Sequence, residues 1–262
     1  MTSPGLSRAR LLAAAMVMVA GVASGAAAQS PPVETQRCSV PSALLDSPYG
    51  LPRTRARLAS GRSLTIVALG SSSTEGIGAT APANSYPSRL QAELRRRFPR
   101  SAITVLNRGI SGEETPAMLA RFQRDVLDNH PDLLIWQAGT NSALRDGDLA
   151  RLVEDLQRGI TRARAAGIDV MLMEPQNAPR VTAKPHWREF VRHLHLVAEI
   201  ERAPLVPRFE VMTHWLESGQ FTMAQMIAPD GLHLTDASYF CLGRVVAVMI
   251  ARQAPADIAT LR

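Results

Sequence analysis

The chain has 262 residues, of which 46% are hydrophobic, 20% are charged and 5% are aromatic. This balance excludes a disordered, a collagen-like or a coiled-coil chain and is typical of a globular protein with a sizeable core. Basic residues outnumber acidic residues by 29 to 23, which gives a formal net charge of +6. The arginines are scattered rather than arranged in a stripe with aromatic partners, so we expect no nucleic-acid partner.

Residues 1–28 have the pattern of a secretory signal peptide. Arg8 and Arg10 precede a short apolar run, and small residues follow as far as Ala28. A positive start, an apolar centre and an A-x-A exit are the features of such a peptide, so we expect cleavage after Ala28. The alternative is an uncleaved membrane anchor, for which the run is short and rich in alanine and glycine. Cleavage would give an exported protein, periplasmic or secreted, without stable membrane insertion.

The chain contains two cysteines, Cys38 and Cys241. Oxidising compartments permit disulfides, and a bridge here would tie the mature N-terminal segment to the last predicted helix. In the chain-entropy model, closing a loop of this length contributes at most about 5 kcal/mol. Two buried free thiols are the alternative, and the sequence leaves both open.

Residues 29–61 are rich in proline, serine and arginine and predict an irregular lead-in, followed by one domain over residues 62–262. Short apolar runs predict strands at 64–69, 103–106, 133–136, 170–173 and 205–206. Helical spacing of apolar residues predicts helices at 86–98, 115–127, 149–166, 187–200 and 237–250. This alternation indicates βαβ units on a parallel sheet with helices on both faces, an α/β fold.

Small and polar residues follow the predicted strands, at the edge where open α/β sheets bind ligands. The segments are GSSSTEG at 70–76, NRGISGE at 107–113, GTNS at 139–142 and, before the last helix, DGLH at 230–233. A serine esterase needs a hydroxyl nucleophile, a base, a group that orients the base, and N–H donors for the oxyanion. All four requirements have candidates in these segments.

His233 is the candidate base, and Asp230 lies three residues before it. One turn of backbone can then bring the carboxylate to Nδ1 of the imidazole and leave Nε2 facing a serine. Tight glycine turns and the side chain of Asn141 suit an oxyanion hole. Each residue alone is commonly a turn or cap residue, so it is their joint occurrence that indicates an esterase.

These segments resemble, in order and spacing, the blocks of the SGNH (GDSL-type) hydrolases, including G-D-S-x-T-x-G, G-x-N-D and D-x-x-H. The resemblance implies a flavodoxin-like three-layer sandwich with about five parallel strands. It implies Ser72 as nucleophile, His233 as base and Asp230 as its orienter. It also implies an oxyanion hole formed by the N–H of Ser72, the N–H of Gly112 and the side chain of Asn141, with no metal or organic cofactor.

Two positions depart from the family pattern. Ser71 stands where the family has the aspartate before the nucleophile, and Ser142 stands where it has the aspartate after the third-block asparagine. Neither position supplies a triad or oxyanion residue, so we expect the chemistry to survive with differently braced turns. Because three serines are adjacent, the choice of Ser72 depends on the register of the motif.

Other sites are disfavoured by their spacing. The glycine-rich segment lacks the G-x-x-x-x-G-K-[ST] of a phosphate loop, and His186, His193 and His195 lack an H-E-x-x-H arrangement, so solvated or core histidines are expected. The favoured function is an exported serine esterase that hydrolyses short-chain acyl esters, with acetyl esters of carbohydrates as the preferred class. The alternatives are a lysophospholipase- or arylesterase-type lipid ester hydrolase and a non-catalytic exported glycan-binding module.

Overall fold

Five parallel strands form a sheet with the order β2-β1-β3-β4-β5. The strands are β1 (Leu64–Gly70), β2 (Ile103–Gly109), β3 (Leu133–Gln137), β4 (Asp169–Met173) and β5 (Leu205–Val206). The computed structural model describes residues 1–2 and 38–253, so the predicted signal peptide lies almost entirely outside the described residues. The chain divides into two compact units, residues 1–30 and residues 31–262, and the sheet belongs to the second.

Helices connect and flank the strands. They are α1 (Pro52–Ser60), α2 (Ser72–Glu75), α3 (Tyr86–Arg97), α4 (Thr115–Ala120), α5 (Phe122–Asp125), α6 (Thr140–Leu144), α7 (Leu149–Ala165), α8 (Pro179–Thr182), α9 (Trp187–Ile200), α10 (Arg208–Glu217), α11 (Met223–Met226) and α12 (Asp236–Ala251). Four predicted helices correspond closely to α3, α7, α9 and α12. Within the described residues, no helix has the length and apolar character that crossing a membrane requires.

Both faces of the sheet are buried, which explains why its strands are apolar runs rather than alternating patterns. Leu64, Ile66 and Ala68 of β1 belong to a core cluster that also holds side chains of α3 and α12. Val67 and Leu69 belong to a second cluster with side chains of α7 and α9. Because successive strand residues point to opposite faces, helices cover the sheet on both sides. The predicted three-layer α/β fold is confirmed.

The prediction of an irregular lead-in over residues 29–61 is wrong where α1 forms. Leu58 of this helix is fully buried, and the backbone N–H of Thr54 donates to the carboxylate of Asp169 at 2.7 Å. Gly61 ends the helix with a φ of +65°, in the left-handed region that glycine tolerates. The helix forms because it packs against the start of β4, a tertiary contact that local composition does not reveal.

Two further differences concern helices. The predicted helix at 115–127 is divided into α4 and α5 at Arg121, whose buried side chain donates to the carbonyl oxygens of Gly70 and Arg108. The helix α10 has no counterpart among the predicted elements, although it buries Trp215 completely. It begins at Arg208, one residue after the two-residue strand β5, in a stretch for which we predict no element.

Cys38 and Cys241 form a disulfide, with their Cα atoms 5.0 Å apart. Of the two alternatives left open by the sequence, the structure therefore has the bridge rather than free thiols. The bond joins the start of the described domain to the middle of α12, across 203 positions of sequence.

Candidate active site

The order of the strands places a crevice at the carboxyl end of β1. β2 lies on one side of β1 and β3 on the other, the arrangement at which open α/β sheets leave a ligand-binding opening. The strand register pairs Gly70 with Gly109 and Leu69 with Trp136. The three segments that follow these strands therefore leave the sheet at one edge. Ser72 lies in the segment after β1, as the first residue of α2.

Ser72, His233 and Asp230 lie in contact, although the serine is 161 positions from the histidine in sequence. Nε2 of His233 lies 2.8 Å from Oγ of Ser72. Nδ1 of His233 contacts Oδ2 of Asp230. The other carboxylate oxygen, Oδ1, accepts the backbone N–H groups of Leu232 at 2.9 Å and His233 at 3.0 Å. The carboxylate thus holds the imidazole by its Nδ1 side and leaves Nε2 for the hydroxyl.

Asp230 is suited to remain charged beside the imidazole. Partial burial raises the pKa of its carboxyl group, but the backbone N–H of His233, the imidazole and the N–H of Leu232 together lower that pKa by more. The net result is a pKa below the ordinary value of an aspartate. A charged carboxylate at this position stabilises an imidazolium when one forms.

The hydroxyl and the imidazole open into a cavity of about 380 Å³. Ser72 is 8% exposed, so its side chain reaches the cavity from a buried position. The lining residues are Ser72, Ile77, Ser111, Gly112, Asn141, Leu144, Arg145, Arg180, Leu232 and His233. The predicted oxyanion residues therefore line the same cavity as the predicted nucleophile and base.

Residues that line this cavity carry N–H groups that are available for a developing negative charge. In the described part of the chain, the backbone N–H groups of Ser72 and Gly112 donate to no protein acceptor. Gly112 adopts a φ of +78°, which turns the backbone in a way that a side chain would oppose. Nδ2 of Asn141 donates to the carbonyl oxygen of Glu113 at 2.8 Å, so one of its two N–H bonds is used and the other is not.

Ser71, which stands where the family pattern has an aspartate, donates to the side-chain amide oxygen of Gln137. Oε1 of Gln137 accepts the backbone N–H of Ser71 at 3.0 Å, its hydroxyl at 3.1 Å and the hydroxyl of Thr74 at 3.3 Å. Gly70 makes this approach possible, because a Cβ there would lie 2.2 Å from Oγ1 of Thr74. The turn that carries Ser72 is thus braced by a neutral network from the end of β3.

Arginines that the sequence analysis did not single out also brace the site. Arg121 pairs with Glu113 and Asp125, each at 2.7 Å, while donating to backbone carbonyls at the ends of β1 and β2. Arg145 donates to the carbonyl oxygen of Gly112 at 2.9 Å. Gln137 could have been found from its place at a strand end, whereas nothing in the sequence distinguishes Arg121 from the other scattered arginines.

Within the described residues, Glu174, His195 and Glu210 are the group whose ligand atoms could surround a cation, since these atoms lie within 4.8 Å of one another. Nε2 of His195 contacts Oε1 of Glu174 and lies 3.6 Å from Oε1 of Glu210. The contacts with Glu174 and Glu210 raise the pKa of His195 to about 10, so a protonated imidazole already balances charge there. His195 is therefore neither a core nor a purely solvated histidine.

Comparison with known proteins supports the family that the sequence segments resemble. The model of the Non-GDSL lipase-like family matches residues 37–256. Esterase TesA of Pseudomonas aeruginosa is 32% identical over 129 residues, which are 49% of this chain and 60% of the relative. An uncharacterized lipoprotein, YqeF of Bacillus subtilis, is 35% identical over 115 residues, which are 41% of this chain and 46% of the relative. The chain thus aligns with about half to three fifths of the length of these relatives.

Solved structures share the fold. A crystal structure of TesA superposes with a TM-score of 0.61 at 28% identity, covering 72% of this chain and 99% of that one. A two-domain esterase described as active on acetylated mannans superposes with a TM-score of 0.66 at 19% identity, covering 82% of this chain and 57% of that one. At this lower identity the second likeness concerns the fold alone.

Proposed function

This chain belongs to the Non-GDSL lipase-like family, within the SGNH-type hydrolases, and we propose that it is a serine esterase acting through Ser72, His233 and Asp230. The observation that carries the proposal is the 2.8 Å separation between Oγ of Ser72 and Nε2 of His233 in a cavity lined by unused N–H donors. The relative named as an esterase lends it support.

Acylation begins when Nε2 of His233 takes the proton of Ser72 and the serine oxygen attacks the ester carbonyl. The negative charge that develops on the carbonyl oxygen is stabilised by the N–H groups of Ser72 and Gly112 and by the free N–H of Asn141. Asp230 stabilises the imidazolium through Nδ1. The tetrahedral intermediate then collapses, and His233 returns the proton to the leaving alcohol.

Deacylation repeats these steps with water. His233 takes a proton from a water molecule, which attacks the acyl group on Ser72. The same N–H donors hold the second tetrahedral charge, and collapse releases the acid while the proton returns to Ser72. Every proton in the cycle passes through Nε2 of His233.

The test is hydrolysis of p-nitrophenyl acetate by the wild type and by three serine variants. We expect Ser72→Ala to lose nearly all activity, with a fall in kcat of about 10⁴–10⁶-fold, while Ser71→Ala and Ser73→Ala retain most of the activity. These neighbours are matched controls because they lie in the same buried turn. Activity that survives in Ser72→Ala and disappears in Ser71→Ala would move the nucleophile by one residue. A wild type that hydrolyses no ester would favour the glycan-binding module.

The favoured substrates are short-chain acyl esters, with acetyl groups on carbohydrates as the leading class. The cavity of about 380 Å³ lies at the small end of the range for ligand sites, roughly 300–1,000 Å³. A structure with the same fold belongs to an esterase active on acetylated mannans. A panel of p-nitrophenyl esters of rising chain length, followed by acetylated glycans, tests this preference. Rates that rise with chain length would favour a lysophospholipase- or arylesterase-type enzyme instead.

The proposal includes export to the periplasm or the medium. The signal-peptide pattern of residues 1–28, the disulfide between Cys38 and Cys241 and the likeness to a lipoprotein support it. N-terminal sequencing of the protein from fractionated cells is the test. A first residue of Gln29 in the soluble exported fraction is expected, whereas retention of Met1 on membranes would indicate an anchor.

A further inference from the structure

A completely buried arginine contacts the residue that follows the predicted nucleophile. Arg208 is the first residue of α10, and its side chain has no solvent-exposed surface. In the described part of the chain, no carboxylate lies within salt-bridge distance of it, and its Nε has no hydrogen-bond partner. Burial lowers its pKa to about 10, which leaves it charged at neutral pH. A buried charge without an ion pair is costly, so its contacts must be specific.

The contacts of Arg208 connect the segment that carries Ser72 with the segment that carries His233. Nη1 of Arg208 donates to Oγ of Ser73 at 3.1 Å, one residue after the predicted nucleophile. Nη2 donates to Oε1 of Gln176 at 2.8 Å. Nε2 of Gln176 in turn donates to the carbonyl oxygen of Leu232 at 3.1 Å, one residue before His233. One arginine and one glutamine thus span the gap between the two segments that carry the reacting atoms.

The same glutamine also reaches the oxyanion segment. Oγ1 of Thr140, the residue before Asn141, donates to Oε1 of Gln176 at 3.0 Å. Gln176 is 1% exposed, so water competes little for these bonds. Its Oε1 accepts from both Arg208 and Thr140, which fixes the amide orientation and directs Nε2 toward Leu232. The position of His233 therefore depends on an amide that the charged guanidinium holds in place.

We propose that Arg208 and Gln176 are positioning residues, which hold the segment of His233 at reacting distance from Ser72 through the bond of Gln176 to Leu232. This inference rests on the proposed esterase function and adds to it two residues that touch neither substrate nor reacting atoms. A displacement of about 1 Å between two reacting groups can lower the rate about a hundredfold. Contacts that fix the positions of these groups can therefore affect kcat.

The sharpest test is Gln176→Glu, because it separates stability from positioning. The new carboxylate keeps the acceptor for Arg208 and gains an ion pair, so the melting temperature should be retained. It loses the N–H donor to Leu232 and places an oxygen against that carbonyl, so the segment of His233 should move. We expect kcat for p-nitrophenyl acetate to fall about ten- to a hundredfold, with KM changed by less than about threefold.

Two further variants complete the design. Arg208→Met should lower both kcat and the melting temperature, and Arg208→Lys should recover part of kcat because it restores a donor. Leu58→Ala is the control for destabilisation, since Leu58 is fully buried in α1, a helix that carries neither Ser72 nor His233. It should lower the melting temperature and leave kcat unchanged. A kcat within about twofold of wild type in both folded Gln176→Glu and folded Arg208→Met would overturn the proposal.

A second readout keeps this proposal distinct from the proposed function. A proton that Nδ1 of His233 donates to Asp230 should give a low-field proton NMR signal, whose observation requires no turnover. We expect Gln176→Glu to shift or broaden this signal and Leu58→Ala to leave it in place. If the wild type hydrolyses no ester but the signal shifts, the esterase function fails and the positioning role stands. An unchanged signal in Gln176→Glu would by itself contradict the proposed positioning role.

Discussion

Two histidines at the carboxyl edge of the sheet contact carboxylates, and their surroundings differ in one respect. His233 meets Asp230 through Nδ1 and presents Nε2 to the hydroxyl of Ser72. His195 presents Nε2 to Glu174 and lies near Glu210 with the same atom. Each imidazole gives one nitrogen to a carboxylate, but the other nitrogen of His233 faces a serine hydroxyl. Within the described residues, Nδ1 of His195 has no such hydroxyl partner. Contact with a carboxylate therefore does not by itself identify a catalytic histidine. The group that faces the second ring nitrogen does.

The largest expected effect is on His233. His233→Gln removes the base while nearly keeping the side-chain volume, so kcat should fall by about 10⁴–10⁶-fold. The side chain lines the cavity, so we expect the free energy of unfolding to change by less than about 1 kcal/mol. Ester hydrolysis and thermal unfolding measured on one preparation check both parts. A variant that is inactive only because it is unfolded would not support a base at this position.

The next largest effect concerns the oxyanion. Asn141→Ala should lower kcat by about 10²–10³-fold, because one preorganised donor is lost where charge develops. Asn141→Asp keeps the shape, removes the N–H and should lose at least as much. Steady-state kinetics on p-nitrophenyl acetate provide the measurement, and full activity in Asn141→Ala would exclude its side chain from the oxyanion hole.

The second histidine should behave in the opposite way. His195→Gln leaves the buried carboxylate of Glu174 without its cation, so we expect a loss of about 1–2 kcal/mol in unfolding free energy. The figure is modest because the His195 side chain is 47% exposed and solvent screens the pair. The rate of ester hydrolysis should stay within about twofold of wild type. A large loss of activity in a folded His195→Gln protein would contradict the comparison of the two histidines.

The smallest effect is the pH dependence of that loss. Because the pKa of His195 is raised from 6.5 to about 10 by Glu174 and Glu210, its protonated form stabilises the folded state. This contribution is complete below pH 6.5 and is lost as the pH rises through 10. The difference in melting temperature between wild type and His195→Gln should therefore shrink between pH 7.5 and 10. A difference that stays constant over this range would mean that His195 is already neutral in the folded protein at pH 7.5.

The parts of the site that the sequence predicts are those set by local spacing. Strands appear as apolar runs because both sheet faces are buried, and Asp230 and His233 are joined by one turn of backbone. The bracing residues belong to no local pattern. Arg208 reaches Ser73 across 135 positions and Gln176 across 32, so only the folded chain brings them together. The sequence does not predict α1 for the same reason. Its packing on β4 stabilises a segment whose own composition favours an irregular loop.

The central claim is that Ser72 is a nucleophile activated by His233, and covalent labelling tests it most directly. The folded wild type should react with a fluorophosphonate to give one adduct, which peptide mapping by mass spectrometry places on Ser72. The same reagent should give no adduct with His233→Gln or with the unfolded chain. An adduct on Ser71 or Ser73, or equal labelling of the folded wild type and the unfolded chain, would contradict the claim.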